Sequence, residues 1–334
     1  MPDKRKGETG KQGNRGKGKA GRGLSPFSDS LVSKQRGRTV SIIGAGRLGS
    51  ALALALGARG FRVEAIASRR LGSARRACGL VGAQTRALSL AQLDRLSPTS
   101  IIFITTPDDA IEQTAQQLAT KIKWSGSGCV ALHASGALSS EALSSLRAIK
   151  FSTGSMHPLI SVSDPRTGAQ GLGKAHYCIE GQPQAVRLAR SLVRELGGQS
   201  FSIRTRDKAL YHAAAVMSSG HMVALFDLAT ELLARCGLSE KQSRAALLPL
   251  MQSTLENLST HAPPRALTGT FARADLSTVN KHLDALRELK TPDALAAYIL
   301  LGQRSLELAK KNGADISMLK KIARALKEAL KQKQ

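Results

Sequence analysis

A chain of 334 residues with 42% hydrophobic residues is long enough for two buried cores, and 3% aromatics means that those cores rest on Ala, Leu and Val. A formal charge of +25 points to anionic ligands, nucleic acid or an acidic membrane surface. Cys78, Cys129, Cys178 and Cys236 form no C-x-x-C pair, which argues against a metal knuckle and a disulfide framework and fits a reducing cytoplasm; no apolar run reaches the ~18 residues of a membrane span.

Residues 1–38 are rich in Gly, Lys and Arg, with almost no large apolar residue before Leu24. Such a segment buries too little surface to offset its ordering entropy, and it lacks the apolar stretch of a signal peptide. A disordered, solvated tail is the favoured reading. An arm that binds nucleic acid is the alternative.

From Thr39 strands and helices alternate. Val40–Ile43 reads as a buried strand that runs into Gly44, Gly46 and Gly49 in G-x-G-x-x-G spacing, with a helix over Ser50–Arg59. The first glycine permits a tight turn, the second lets a pyrophosphate approach the backbone, and the third lets helix pack on strand. Gly44-Ala45-Gly46-Arg47-Leu48-Gly49 is therefore the candidate phosphate-binding turn. The second strand, Arg62–Ala67, ends in Ser68-Arg69-Arg70, where a site for NAD expects an acidic residue. A hydroxyl and two guanidiniums suit a ribose 2′-phosphate instead, so NADP(H) is the expected cofactor.

A third strand is expected around Gly82–Thr85. Ser100–Thr105 reads as a strand ending in Thr105-Thr106-Pro107, assigned to the cofactor, and Ala110–Ala119 as a helix. Gly128–Leu132 precedes His133, Ser135 and Gly136, and Phe151–Leu159 carries His157. These four lie at or beyond strand ends and are candidate substrate-binding residues. Ala175–Ile179 and Phe201–Ile203 read as strands flanking a helix at Pro183–Leu196. After Arg206 the pattern is helical: a long helix over Lys208–Cys236, a kink at Pro249, a loop at Pro263–Asp275, then helices at Leu276–Leu286, Pro292–Lys311 and Ile316–Lys331. The expected division is a tail (1–38), a dinucleotide-binding α/β domain (39–206) and an all-α domain (207–334).

Reduction of a carbonyl or imine needs a proton donor beside the hydride acceptor. Lys208 and His212 are four apart on one helix face and form the candidate catalytic pair; neighbouring Tyr211 reads as a packing residue. Neither a Cys/His cluster for a metal nor a G-x-S-x-G elbow is present.

Taken in order, the glycine turn, TTPD (105–108), HASGA (133–137), MHPL (156–159), YCIEG (177–181), KALYHAAAV (208–216) and LTGTFARAD (267–275) resemble the bacterial Rossmann-like proteins with a helical C-terminal domain of unknown function. These are short-subunit dehydrogenase-like oxidoreductases, similar to the 6-phosphogluconate dehydrogenase superfamily. The resemblance covers roughly residues 39–310. It implies a Rossmann domain followed by an all-α domain that dimerises, an active site between the two, and Lys208 and His212 facing the nicotinamide. Three departures stand out: the group commonly has Asn where this chain has Gly220, LTGP where it has Thr270, and RGD where it has Ala274. The expected activity is reduction of a small C=O or C=N substrate by NADPH, with a 2-keto acid such as ketopantoate as the lead. The rival reading is an NADP(H)-binding sensor or scaffold without turnover.

Overall fold

The computed structural model describes residues 38–289 and 291–331. Residues 1–37, and with them the expected disordered tail, lie outside the described residues. The strands are β1 (Thr39–Ile43), β2 (Arg62–Ser68), β3 (Arg86–Ser89), β4 (Ile101–Ile104), β5 (Val130–His133), β6 (Ser152–Leu159), β7 (His176–Gly181) and β8 (Gln199–Phe201). They form one sheet in the order β3-β2-β1-β4-β5-β6-β7-β8, parallel except for the antiparallel β6–β7 pair. Between them run α1 (Arg47–Ala58), α2 (Leu71–Val81), α3 (Asp108–Lys121), α4 (Ser144–Arg147), α5 (Pro165–Leu172) and α6 (Pro183–Leu196).

Period-two alternation divides the strand side chains between two cores. Val40, Ile42, Ile101, Phe103, Val130, Leu132 and Met156 pack with Leu52 and Leu56 of α1. Ile43, Ile102, Ile104 and Ala131 pack with Ile111, Ala115 and Leu118 of α3 on the other face. Burial on both faces explains why β1 and β4 read as continuous apolar runs rather than as alternating ones. The third strand lies four residues beyond its expected place. Gly82 (φ +144°) closes α2 by donating its N–H to Cys78, and the strand forms where Leu88 can be buried.

Beyond β8 the described residues are helical: α7 (Lys208–Ser218), α8 (Gly220–Arg235), α9 (Glu240–Thr260), α10 (Pro263–Ala266), α11 (Gly269–Ala272), α12 (Leu276–Glu288), α13 (Pro292–Lys311) and α14 (Ile316–Lys331). The single helix expected over 208–236 is broken at Ser219, within the Ser-Ser-Gly run that weakens helical geometry. The chain divides into two compact units, the first ending at Tyr211 and the second starting at His212, five residues later than expected. The second unit has its own core, built from Val279, Leu283, Ile299, Leu306, Ile322 and Leu326. Ala274, in place of the glycine implied by the resemblance, sits at φ +51°, a left-handed conformation that glycine adopts more readily.

The expectation of no spanning-length apolar run is corrected on length and composition alone. Thr205–Arg235 contains a window of mean hydropathy 1.2 with none of it buried.

Candidate functional site

The glycine turn has the steric logic its spacing implies. Gly44 adopts φ +126°, and a Cβ there would lie 2.5 Å from the Thr105 carbonyl carbon. Its N–H donates to Ala67, Thr105 N–H donates to Ile43, and Thr105 Oγ1 donates to the Gly44 carbonyl at 2.8 Å. This knits the ends of β1, β2 and β4 together. A Cβ on Gly49 would overlap the Gly44 carbonyl oxygen, so α1 meets the turn only as glycine. Gly46 is different: nothing lies within 4 Å of where its Cβ would be. The space is left open above the start of α1, whose N-cap Gly46 makes no side-chain cap and whose first turn holds no acidic residue. Uncapped N–H groups and the positive dipole end face that space, an arrangement suited to a phosphate. Arg47 is exposed, and Ala45 and Leu48 are half-buried.

Ser68 ends β2, and Arg69 and Arg70 follow it directly, both exposed. Arg69 joins Thr106, Pro107, Leu90, Ala91 and Gln113 around a cavity of about 390 Å³. Thr106 Oγ1 is buried there without a hydrogen-bond partner. The structure thus brings Arg69, Thr106 and Pro107 to one pocket. A larger depression of about 1320 Å³ opens where β1, β4 and β5 begin. Two of the arginines on its wall are already paired, Arg38 with Glu195 and Arg62 with Glu64.

The other candidate residues meet in the first unit, along one row of the sheet. The register runs Ile43, Ile104, His133, Ser155, Glu180 across β1, β4, β5, β6 and β7. On this face the apolar core gives way to polar side chains as the sheet reaches β5. Lys208, at the start of α7, is inserted here with 1% exposure. Its Nζ donates to Ser155 Oγ (2.6 Å) and to the Ser135 carbonyl (3.2 Å), and lies 3.9 Å from Glu180 Oε1. Glu180 also accepts from Ser140 N–H (2.7 Å) and Ser140 Oγ (3.0 Å). Burial pulls the lysine below its ordinary value, and the Glu180 carboxylate opposes that shift.

Three sequence expectations change as a result. Lys208 does not present a free ammonium on a shared face with His212: its ammonium is committed within the first unit, while His212 begins the second. His133, expected on the substrate side, is fully buried with both ring nitrogens engaged within the protein. Its Nδ1 accepts from Ser135 N–H (3.2 Å) and its Nε2–H donates to the Ser139 carbonyl (3.0 Å). Burial, followed by the Lys208 charge, holds its pKa at about 3, so the ring is neutral at physiological pH. The Ser135 hydroxyl is likewise occupied. It donates to Asp108 Oδ2 (2.6 Å) and accepts from Ala137 and Leu138 N–H, which latches the buried loop containing Gly136 to the start of α3.

His157 is the candidate that remains half-buried. Two residues beyond the row, it lies past the carboxyl ends of the parallel strands, opposite Cys178. Its Nδ1 is 2.7 Å from the Tyr211 hydroxyl, and the Tyr211 ring meets both His157 and Phe201 edge-on. Sequence reasoning treated Tyr211 as packing and passed over Ser155, Glu180 and Asp108. The available signal was the strand period, which puts Ser155 and His157 on one face of β6 and Cys178 and Glu180 on the matching face of β7.

Sheet order and glycine turn together define a Rossmann-type α/β unit, followed in the chain by a helical unit. Residues 25–158 match the Rossmann-like domain, and residues 175–305 match the domain of unknown function DUF2520. The two matched domains follow one another along the chain. Among solved structures, protein TM1727 from Thermotoga maritima is similar at 22% identity and a TM-score of 0.64, over 82% of this chain and 99% of that one. The candidate NADP oxidoreductase BF3122 from Bacteroides fragilis is similar at 21% identity and 0.67, over the same shares. Pyrroline carboxylate reductase from Plasmodium falciparum, solved with NADP bound, aligns at 11% identity and 0.53, again over 82% and 99%. These likenesses establish the fold. No curated protein matches the chain.

Proposed function

We propose that this chain is an NADP(H)-dependent oxidoreductase that reduces a small C=O or C=N substrate, with a 2-keto acid such as ketopantoate as the first candidate. The observation that carries the reading is the open space at Gly46 over an uncapped helix, with Ser68-Arg69-Arg70 closing β2. The Gly44–Gly49 turn would hold the pyrophosphate. Ser68, Arg69 and Arg70 would hold the 2′-phosphate, and Thr105, Thr106 and Pro107 would border the dinucleotide. When bound, NADPH supplies a hydride to the acceptor carbon. The chain's part is to orient the two molecules and to deliver a proton to the acceptor heteroatom. Similar folds in a candidate NADP oxidoreductase and a pyrroline carboxylate reductase support the class of reaction.

Loss of NADPH absorbance with ketopantoate, other 2-keto acids or cyclic imines tests the reading. Tight NADPH binding without turnover on the whole panel would favour the rival, a sensor or scaffold. The locked ammonium of Lys208 is the observation on that rival's side.

The same reading includes a homodimer. In α8 no residue is buried, and α9, which packs on α8, is almost as exposed. Val223 is 67% exposed and Leu250 63%, with Leu225, Leu248, Leu255 and Leu258 also open. Monomers rarely expose contiguous apolar patches above a few hundred Å², and a second copy covers such helices without stranding Asp227 and Glu231 in lipid. Sedimentation at micromolar concentration should give a dimer, and a Val223→Glu/Leu250→Glu variant should give a folded monomer. A monomeric parent chain would contradict this. Four free thiols accord with a reducing compartment, the cytoplasm.

A further inference from the structure

We infer that the depression at the amino ends of β1, β4 and β5, together with the arginine face of α6, is a binding surface for single-stranded nucleic acid. The inference goes beyond the oxidoreductase reading and uses the edge of the sheet opposite to the glycine turn.

The starting point is where the positive charge of the first unit is left unbalanced. Residues 38–211 hold twenty-two Lys and Arg against ten Asp and Glu. Along α6 the helical period sends Ala185, Ala189, Leu192, Val193 and Leu196 into the core. Arg187, Arg190 and Arg194, spaced by three and four, share the exposed face. Arg190 donates to Ser202 Oγ at 3.2 Å. Glu195, the one acidic residue of α6, is taken by Arg38. Among the described residues, Arg187 and Arg194 have no carboxylate partner, so two guanidiniums on one rigid helix remain for an anion from outside.

Arg187 also stands on the wall of the depression of about 1320 Å³, with Arg38, Arg62, Trp124, Ser125 and Ser127. No acidic residue is among the described residues that line it. The Trp124 indole is fixed: its Nε1–H donates to the Leu96 carbonyl (2.8 Å), and its ring lies 5.5 Å from that of Phe151. The ring is only half-buried and borders the depression. A fixed aromatic ring beside cations is the combination that holds single strands, with bases stacked on the ring and phosphates on the charges. A helical rise of 1.5 Å per residue sets Arg187 and Arg194 about 10 Å apart, the reach of about three nucleotides. A lipid bilayer is a poorer match, because it is flat and this wall is concave and carries hydroxyl groups. Residues 1–37, with ten Lys and Arg against three Asp and Glu, join the chain at Arg38 on the rim, which tethers further positive charge there.

Trp124 is the only tryptophan in the chain, so its emission reports on this surface directly. Full-length protein is titrated with oligouridylate and with oligodeoxythymidylate at several salt concentrations, followed by tryptophan fluorescence and, with labelled strands, by anisotropy. Binding at low salt should quench Trp124. Three engaged phosphates predict a log–log salt slope of about −2 or steeper. Arg187→Glu/Arg194→Glu changes two exposed side chains away from the glycine turn. It should weaken binding by at least about 10-fold and make the slope shallower by about one unit or more. Saturating NADPH should leave the oligonucleotide affinity within about twofold. Absence of binding at low salt would overturn the inference. So would undiminished binding by the double variant, which would assign the affinity to other charges, or binding that leaves Trp124 emission unchanged. Displacement of the strand by NADPH would put it in the dinucleotide turn and likewise overturn the inference. Stronger association with mixed phosphatidylserine and phosphatidylcholine vesicles, lost in the double variant, would make the surface a lipid-binding one instead. None of these outcomes depends on whether NADPH is turned over.

Discussion

Lys208→Met should destabilise the first unit by about 3–5 kcal/mol, the usual result of removing one partner from a buried ion pair. The lysine is 1% exposed and Glu180 7% exposed, so the abandoned carboxylate keeps only the two donors from Ser140 and has little access to water. The double variant Lys208→Met/Glu180→Gln should recover a large part of that loss, because the charge left unpaired is gone and the amide oxygen still accepts from Ser140. Urea unfolding of the two single variants and the double completes the cycle. A single Lys208→Met variant within about 1 kcal/mol of the parent would show that the ammonium is not held in this row. The distinction matters for function. A lysine whose loss acts through loop geometry and stability behaves differently from one that touches substrate, whose loss leaves folding intact.

Gly46→Val should leave the fold nearly untouched and weaken NADPH binding by about 100-fold or more. The backbone at Gly46 (φ −77°, ψ −177°) is open to any residue, and no atom lies within 4 Å of the new Cβ. The isopropyl group then occupies the space into which a pyrophosphate must come, and about 2.7 kcal/mol of lost contact is the corresponding energy. The neighbouring glycines are controls of the opposite kind. At Gly49 a Cβ meets the Gly44 carbonyl oxygen, and at Gly44 the backbone is left-handed and closed against Thr105, so substitution there damages folding before it can report on binding. Calorimetric titration together with a melting curve separates the cases. Undiminished NADPH binding by Gly46→Val would mean that the ligand does not enter over this helix.

The glycine turn and the end of β2 were legible because their determinants are local. Glycine spacing, one strand before it and one helix after it fix the turn, and the residues that end β2 follow within some twenty positions. The Lys208 row was not legible in the same way. It is assembled by the register of β4, β5, β6 and β7 and then closed by a residue from α7, so its polar side chains and those bonded to them are separated by up to 100 positions, from Asp108 to Lys208. Spacing on a helix correctly put Lys208 and His212 four apart, but it carried no information on which side chain would be buried. The sheet beneath α7 decides that. Tyr211 illustrates the same limit, since its hydroxyl gains meaning only from His157, 54 residues away on a strand edge. The boundary between units shifted for a related reason: Lys208 and Tyr211 bond into the sheet, so the first turn of α7 belongs to the first unit.

The departure at Gly220 carries less structural weight than the resemblance suggested. A Cβ there would meet only Val216 Cγ1, at 3.9 Å, so the position has room for a side chain.

The central claim is that Ser68-Arg69-Arg70 and the Gly46 opening make an NADP(H) site. Parallel calorimetric titrations of the full-length protein with NADPH and NADH test it most directly. Charge-assisted bonds to a 2′-phosphate predict that NADPH binds at least about 10-fold more tightly than NADH, and that Arg69→Ala/Arg70→Ala removes the difference. Equal affinities in the parent protein, or no binding of either dinucleotide, would contradict the account.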